Sequence, residues 1–128
     1  MREEGEARDP LTHSVIGAAM EVHREMGPGL LESVYQKCIE RELKRQGIGC
    51  RPQARLPLLY KGEVLDDEFV MDLLFPGQLV VELKAVEKLL PIHEAQLLTY
   101  LRLSKHRVGL LINFNVPLLK DGLKRMVL

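Results

Sequence analysis

The sequence predicts a small α/β domain built on a mixed sheet. Three observations lead there. Helical periodicity fills residues 12–46 and returns near residue 91. Apolar, strand-like runs occupy segments between 54 and 86 and again after 108. Breaks containing Gly or Pro separate the runs. With 128 residues, the chain fits one domain around one core. The expected division is a flexible leader over residues 1–10 and a single domain over 11–128.

The leader carries four acids and two arginines and ends in Pro10, without the basic-then-apolar order of a signal peptide. Thr12 or Ser14 is expected to cap the first helix, where Ile16, Ala19, Met20 and His23 recur at helical spacing. Gly27-Pro28-Gly29 breaks it. A second helix is expected over residues 30–46, with Leu31, Val34, Tyr35, Cys38 and Leu43 on its apolar side and Gly47 at its end. Residues 54–60 read as a strand and Lys61-Gly62 as a turn. Residues 69–75 and 79–86 read as two more strands joined around Pro76-Gly77. Pro91 suits the first turn of a helix over 91–103. Residues 108–114 read as a buried strand, and 123–128 as a last short one after Lys120-Asp121-Gly122.

Composition narrows the function classes. The chain is 46% hydrophobic and 28% charged, an ordinary globular balance. Eighteen basic residues match eighteen acidic ones, which excludes a chain that grips a polyanion by bulk charge alone. Trp is absent and aromatics make up 5%, which argues against an aromatic stacking platform. No apolar run approaches the roughly 18 residues of a membrane span. Cys38 and Cys50 are too few for a disulfide scaffold, so a reducing compartment, the cytoplasm, is expected.

The informative signal is charge inside apolar strands. Asp72 interrupts the run of residues 69–75, and Glu82 and Lys84 interrupt that of 79–86. Glu82 and Lys84, two apart, share a strand face. A three-residue connection centred on Gly77 would set Asp72 opposite Glu82, whereas a two-residue turn would put them on opposite faces. Two carboxylates that close repel when both are ionised, and a divalent cation removes that cost. Oxygen ligands of this kind suit Mg²⁺ or Mn²⁺. The competing reading is a solvated sheet edge with Lys84 paired to either acid. Glu32, early in the second helix, is either a group favoured by the helix dipole or a further acid at the site. His23, ending the first helix's stripe, is either packed or a metal or phosphate ligand. Gln96 and Tyr100, at i and i+4, can together donate to a phosphate or a base edge, or simply form a half-buried polar edge.

Together these residues resemble a family. Gly29-Leu30-Leu31-Glu32-Ser33-Val34-Tyr35 is similar to the pattern that names the GxxExxY proteins, placed within the PD-(D/E)XK nuclease superfamily. Asp72 followed by Glu82-Leu83-Lys84 resembles the superfamily's D…ExK core, and Gln96-x-x-x-Tyr100 resembles the QxxxY helix of its RecB-like branch. The stretches 22–29 and 111–117 resemble the family too, so the likeness runs over nearly the whole of residues 11–128. It implies a restriction-endonuclease-like core, a mixed central sheet with a catalytic hairpin flanked by helices. It implies that Asp72 and Glu82 bind Mg²⁺ or Mn²⁺, with Glu32 assisting and His23 a further metal ligand. It implies that Lys84 orients the attacking water and stabilises charge on the phosphate, and that Gln96 and Tyr100 position nucleic acid. The expected activity is metal-dependent phosphodiester hydrolysis, in DNA before RNA. A homodimer would supply two active sites for duplex cleavage. The alternative is a non-catalytic nucleic-acid- or protein-binding module that keeps the fold.

The charge balance also divides along the chain. Residues 37–61 hold seven basic and two acidic side chains, and residues 62–94 hold two basic and eight acidic. Residues 95–128 hold six basic and one acidic. An acidic segment bearing the candidate metal site thus lies between two basic ones.

Overall fold

Asp9, rather than Thr12 or Ser14, starts the first helix. In the computed structural model, which describes residues 9–128, Asp9 is the N-cap of α1 (Pro10–Met26). Its Oδ1 accepts the Leu11 and Thr12 amides at 3.1 and 3.4 Å, two of the donors a helix start leaves unpaired. Thr12 is buried and donates its hydroxyl to Asp9 Oδ2 at 2.6 Å. The helix begins inside the expected leader, and the rest of that leader, residues 1–8, lies outside the described residues.

The turn into α2 (Glu32–Arg45) needs Gly27 and Gly29, whose φ values of 70° and 99° fall in the left-handed region. Tyr35 then ties the turn down. Its hydroxyl donates to the Gly27 carbonyl at 2.5 Å and accepts the Leu30 amide at 3.2 Å. Its ring stacks on Phe114 with centroids 4.5 Å apart. Glu32 is thereby fixed at the first position of α2.

Five strands follow: β1 (Arg51–Tyr60), β2 (Glu63–Phe75), β3 (Leu79–Lys84), β4 (Val108–Asn113) and β5 (Leu123–Val127). Their order in the sheet is their order in the chain. β3 and β4 are parallel, and every other neighbouring pair is antiparallel. The parallel pair requires a crossover, which α3 (Pro91–Ser104) supplies. A 3₁₀ turn over Leu119–Gly122 leads into β5, and Gly122 is needed there because a Cβ would run into the Asn113 carbonyl.

Each sheet face buries its own core. On one side Val15, Ala18, Val22 and Ile39 of α1 and α2 pack with Leu73, Val81, Leu83 and Ile112. On the other, Leu97 and Leu101 of α3 pack with Leu74, Val80, Leu111 and Met126. This explains why β3 and β4 are mostly apolar, with Glu82 and Lys84 the charges in β3: both strands have both faces covered. It also makes Glu82, only 5% exposed, costly in its charged form. The result is an α/β fold with a mixed central sheet flanked by helices.

Three strands differ in extent from expectation. β3 stops at Lys84 instead of running to residue 86, because the buried Asn113 side chain takes over the Val86 backbone. It accepts the Val86 amide at 3.0 Å and donates to the Val86 carbonyl at 2.9 Å. β1 and β2 are longer than expected, and only Leu73–Phe75 of β2 pairs with β3. The remainder pairs with β1 alone, forming a two-stranded ribbon whose tip exposes Leu59, Tyr60, Val64 and Leu65.

Candidate functional site

The site forms where the β2–β3 hairpin opens. Phe75 pairs with Leu79 across Pro76, Gly77 and Gln78, so the connection is three residues long. Pairing continues through Leu74–Val80 and Leu73–Val81. The same register carried one residue further sets Asp72 across from Glu82. There side chains take over from backbone: Glu82 Oε2 accepts the Asp72 amide at 3.1 Å, and Asp72 Oδ2 accepts the Leu83 amide at 2.8 Å.

Asp72 also marks a break in alternation. Leu73 and Phe75 pack toward α1 and α2, but Met71 and Leu74, three apart, both pack toward α3. The partner strand turns over at the same place. Register is identical on either side of Gln53 and Asp72, and Gln53 carries φ 50°, a left-handed value that costs a non-glycine residue about 1–3 kcal/mol. Gln53 Nε2 donates to Asp72 Oδ1 at 3.1 Å, and Gln36 Nε2 of α2 donates to the Asp72 carbonyl at 3.0 Å. No residue pattern flags Gln53: a strand glutamine next to a proline carries no mark of positive φ.

The electrostatics follow from this crowding. Burial first, and the Asp72 charge second, push the Glu82 carboxyl up to about 9. Glu82 therefore holds a proton at neutral pH when no cation is present. The Glu32 carboxyl is also raised, first by desolvation and then by Asp72, while Lys84 opposes the shift. Glu32, Ser33, Gln36 and Lys37 of α2 face Gln53 and Asp72 across an open groove of about 530 Å³. On the other side, Lys84 Nζ donates to Gln96 Oε1 at 3.2 Å, and Gln96 Nε2 donates to the Tyr100 hydroxyl at 3.2 Å. Tyr100 lies tilted over Phe69 at 4.8 Å. Its hydroxyl is raised by burial first and then by Glu82 and Asp72.

Six of the seven residues singled out in the sequence thus share one neighbourhood: Asp72, Glu82, Lys84, Glu32, Gln96 and Tyr100. His23 belongs elsewhere. Its Nε2 donates to the Val116 carbonyl at 2.8 Å, and it lines a separate, largely apolar cavity with Met20 and residues 117–120. Its ring packs the end of α1 against the chain after β4.

The residues suit a hard cation in part. Among the described residues, no three His, Cys, Asp or Glu side chains gather as a ready ligand set. The arrangement offers two apposed carboxyl groups, that of Glu82 pushed up first by burial and then by Asp72, with Glu32 across the groove. Mg²⁺ is commonly held by one or two carboxylates, its remaining positions going to water and substrate oxygens. That donor set fits the Asp72–Glu82 pair.

The fold is a mixed central sheet flanked by helices, and comparison with known families gives its class. The family profile of the PD-(D/E)XK nuclease superfamily matches residues 9–126, and the chain belongs to that superfamily. No curated protein and no solved structure gives a significant match. Among the described residues, no helix is long and apolar enough to cross a membrane.

Proposed function

We propose that the chain is a Mg²⁺- or Mn²⁺-dependent nuclease hydrolysing phosphodiester bonds in DNA, of the GxxExxY group within its superfamily. The observation that carries this is the pairing of half-buried Asp72 with buried Glu82 at the mouth of the hairpin, with Lys84 held beside it by Gln96. In this reading Asp72 and Glu82 hold the ion, and Glu32 completes the acidic wall. A bound ion would polarise the phosphate and make its water more acidic. Lys84 orients the attacking water and stabilises the charge that develops on the phosphate. Gln96 fixes Lys84 and, by donating to the Tyr100 oxygen, leaves the Tyr100 hydroxyl hydrogen free to reach a phosphate oxygen.

The test is cleavage of single-stranded DNA, duplex DNA and RNA with Mg²⁺ or Mn²⁺, against EDTA. Wild type should cut in the presence of metal, and Asp72→Ala and Glu82→Ala should not, while both remain folded. Undiminished cleavage in both variants would refute the reading. A second reading, a non-catalytic binding module, is favoured by the incomplete ligand set and by the use of both carboxylates as acceptors for backbone amides. It requires binding without turnover. Duplex cleavage would call for two sites, hence a homodimer, which sedimentation tests directly. The free thiols Cys38 and Cys50 suit a cytoplasmic setting.

A further inference from the structure

α2 carries a feature that the catalytic reading does not use. Lys37, Arg41, Lys44 and Arg45 lie at i, i+4, i+7 and i+8, which sets all four on one side of the helix. All four are exposed. None takes part in an ion pair among the described residues; Arg41 donates only to the Lys37 carbonyl, at 3.3 Å. The acids of the same stretch are occupied elsewhere, Glu40 by Gln36 and Glu42 by Gln46, each at 2.7 Å. The opposite side of α2 is the buried one, with Tyr35, Ile39 and Leu43. Packing therefore does not explain the cations.

The stripe begins at the candidate site. Lys37 lines the groove that contains Asp72 and Glu32, and the other three cations lead away from it along the helix. From Lys37 to Lys44 the helix rises about 11 Å, the length of about three nucleotides of one strand. The groove itself is acidic and repels a phosphate until a cation is bound. A strand held there needs its attraction from beside the groove.

We propose that the exposed side of α2 is the track along which one DNA strand leaves the metal centre, its successive phosphates meeting Lys37, Arg41 and the Lys44–Arg45 pair. The contact is to the backbone, so it holds any sequence equally. This rests on the nuclease reading for its starting point, but it concerns binding and is tested without turnover.

The experiment is fluorescence anisotropy of a labelled single-stranded DNA oligonucleotide in EDTA across a salt series. Wild type is compared with the K37Q/R41Q/K44Q/R45Q variant and with a K105Q/R107Q control near the Gly77 turn. Gln is a good helix former, so α2 should persist, which circular dichroism checks. Removing four phosphate contacts should lower the log–log salt slope by about 3 and weaken binding at least tenfold at low salt. The control should change little. Unchanged affinity and slope in the α2 variant would overturn the track. So would loss of self-association in that variant with DNA binding intact, which would assign the stripe to a second copy. If wild type cuts DNA in the companion assay while the α2 variant binds normally, only the track fails. If wild type neither binds nor cuts, the nuclease reading fails with it.

Discussion

Asp72 and Glu82 each bridge to the other's strand. Glu82 Oε2 takes the Asp72 amide at 3.1 Å, while Asp72 Oδ2 takes the amide of Leu83, the residue after Glu82, at 2.8 Å. The backbone ladder that ends at Leu73–Val81 is replaced by two crossed side-chain bonds. A carboxylate on each strand fills the gap, and in the absence of a cation the cheapest way to keep both there is to leave a proton on the more buried one.

That proton sets a pH dependence. The Glu82 carboxyl has an ordinary value of 4.5 and is pushed up to about 9 in the fold. Between those values the folded chain keeps a proton that the unfolded chain has released. The stabilisation is complete below pH 4.5 and is lost as the pH rises toward 9, with a slope of at most about 1.4 kcal/mol per pH unit. Glu82→Gln keeps the shape and removes the titration. In EDTA the variant should melt above wild type at pH 8 and close to it at pH 4. Parallel melting curves across that range would show that Glu82 is already ionised in the fold.

A divalent ion at the pair should displace the same proton. Titration calorimetry with Mn²⁺ near pH 7, repeated in buffers of different ionisation enthalpy, should report about one proton released per ion. Glu82→Gln should release none. Binding with no buffer dependence would place the ion away from Glu82.

Gln53 separates strain from chemistry. Gln53→Gly can adopt φ 50° freely, so lost hydrogen bonding and relieved strain should roughly cancel. Gln53→Ala keeps the strain and loses the bond to Asp72, so it should be less stable by about 1 kcal/mol. Both should bind Mn²⁺ about tenfold more weakly, because Asp72 loses the donor that orients it. Urea unfolding and Mn²⁺ titration read the two effects apart.

Tyr35→Phe removes the hydroxyl that joins Gly27 to Leu30 and keeps the ring stacked on Phe114. A cost of about 1–2 kcal/mol in urea unfolding is expected. Cleavage should fall as well, since the turn that places Glu32 is loosened. Full activity at reduced stability would show that Glu32 keeps its position without the turn.

Much of the fold was legible because burial writes itself into periodicity. The stripes of α1 and α2 and the largely apolar runs of β3 and β4 follow from which faces are covered. What stayed hidden depends on contacts distant in sequence. β3 ends early because Asn113, on the next strand, captures Val86. His23 serves Val116, 93 residues away, and a helical stripe cannot name such a partner. Asp9 read as leader because its acidic neighbours mask a capping residue. The apposition of Asp72 and Glu82 turned on one residue of turn length. Pro76-Gly77 leaves that open, and it is settled by the Gln78 amide bonding to the Phe75 carbonyl at 2.8 Å.

The β1–β2 ribbon has a consequence for how these molecules behave in a crowd. Among the described residues, no strand lies beside the inner edge of β2 from Glu63 to Met71, and none pairs with the outer edge of β1. Bare edges invite pairing between molecules, all the more with Leu59, Tyr60, Val64 and Leu65 exposed nearby. Pro52 and Pro57 take two backbone donors out of β1, and Glu63, Asp66, Asp67 and Glu68 crowd β2 with like charge. The acids of the negative middle segment, residues 62–94, therefore serve two ends. Asp72 and Glu82 await a cation, while those at the ribbon tip keep one copy from zipping onto the next.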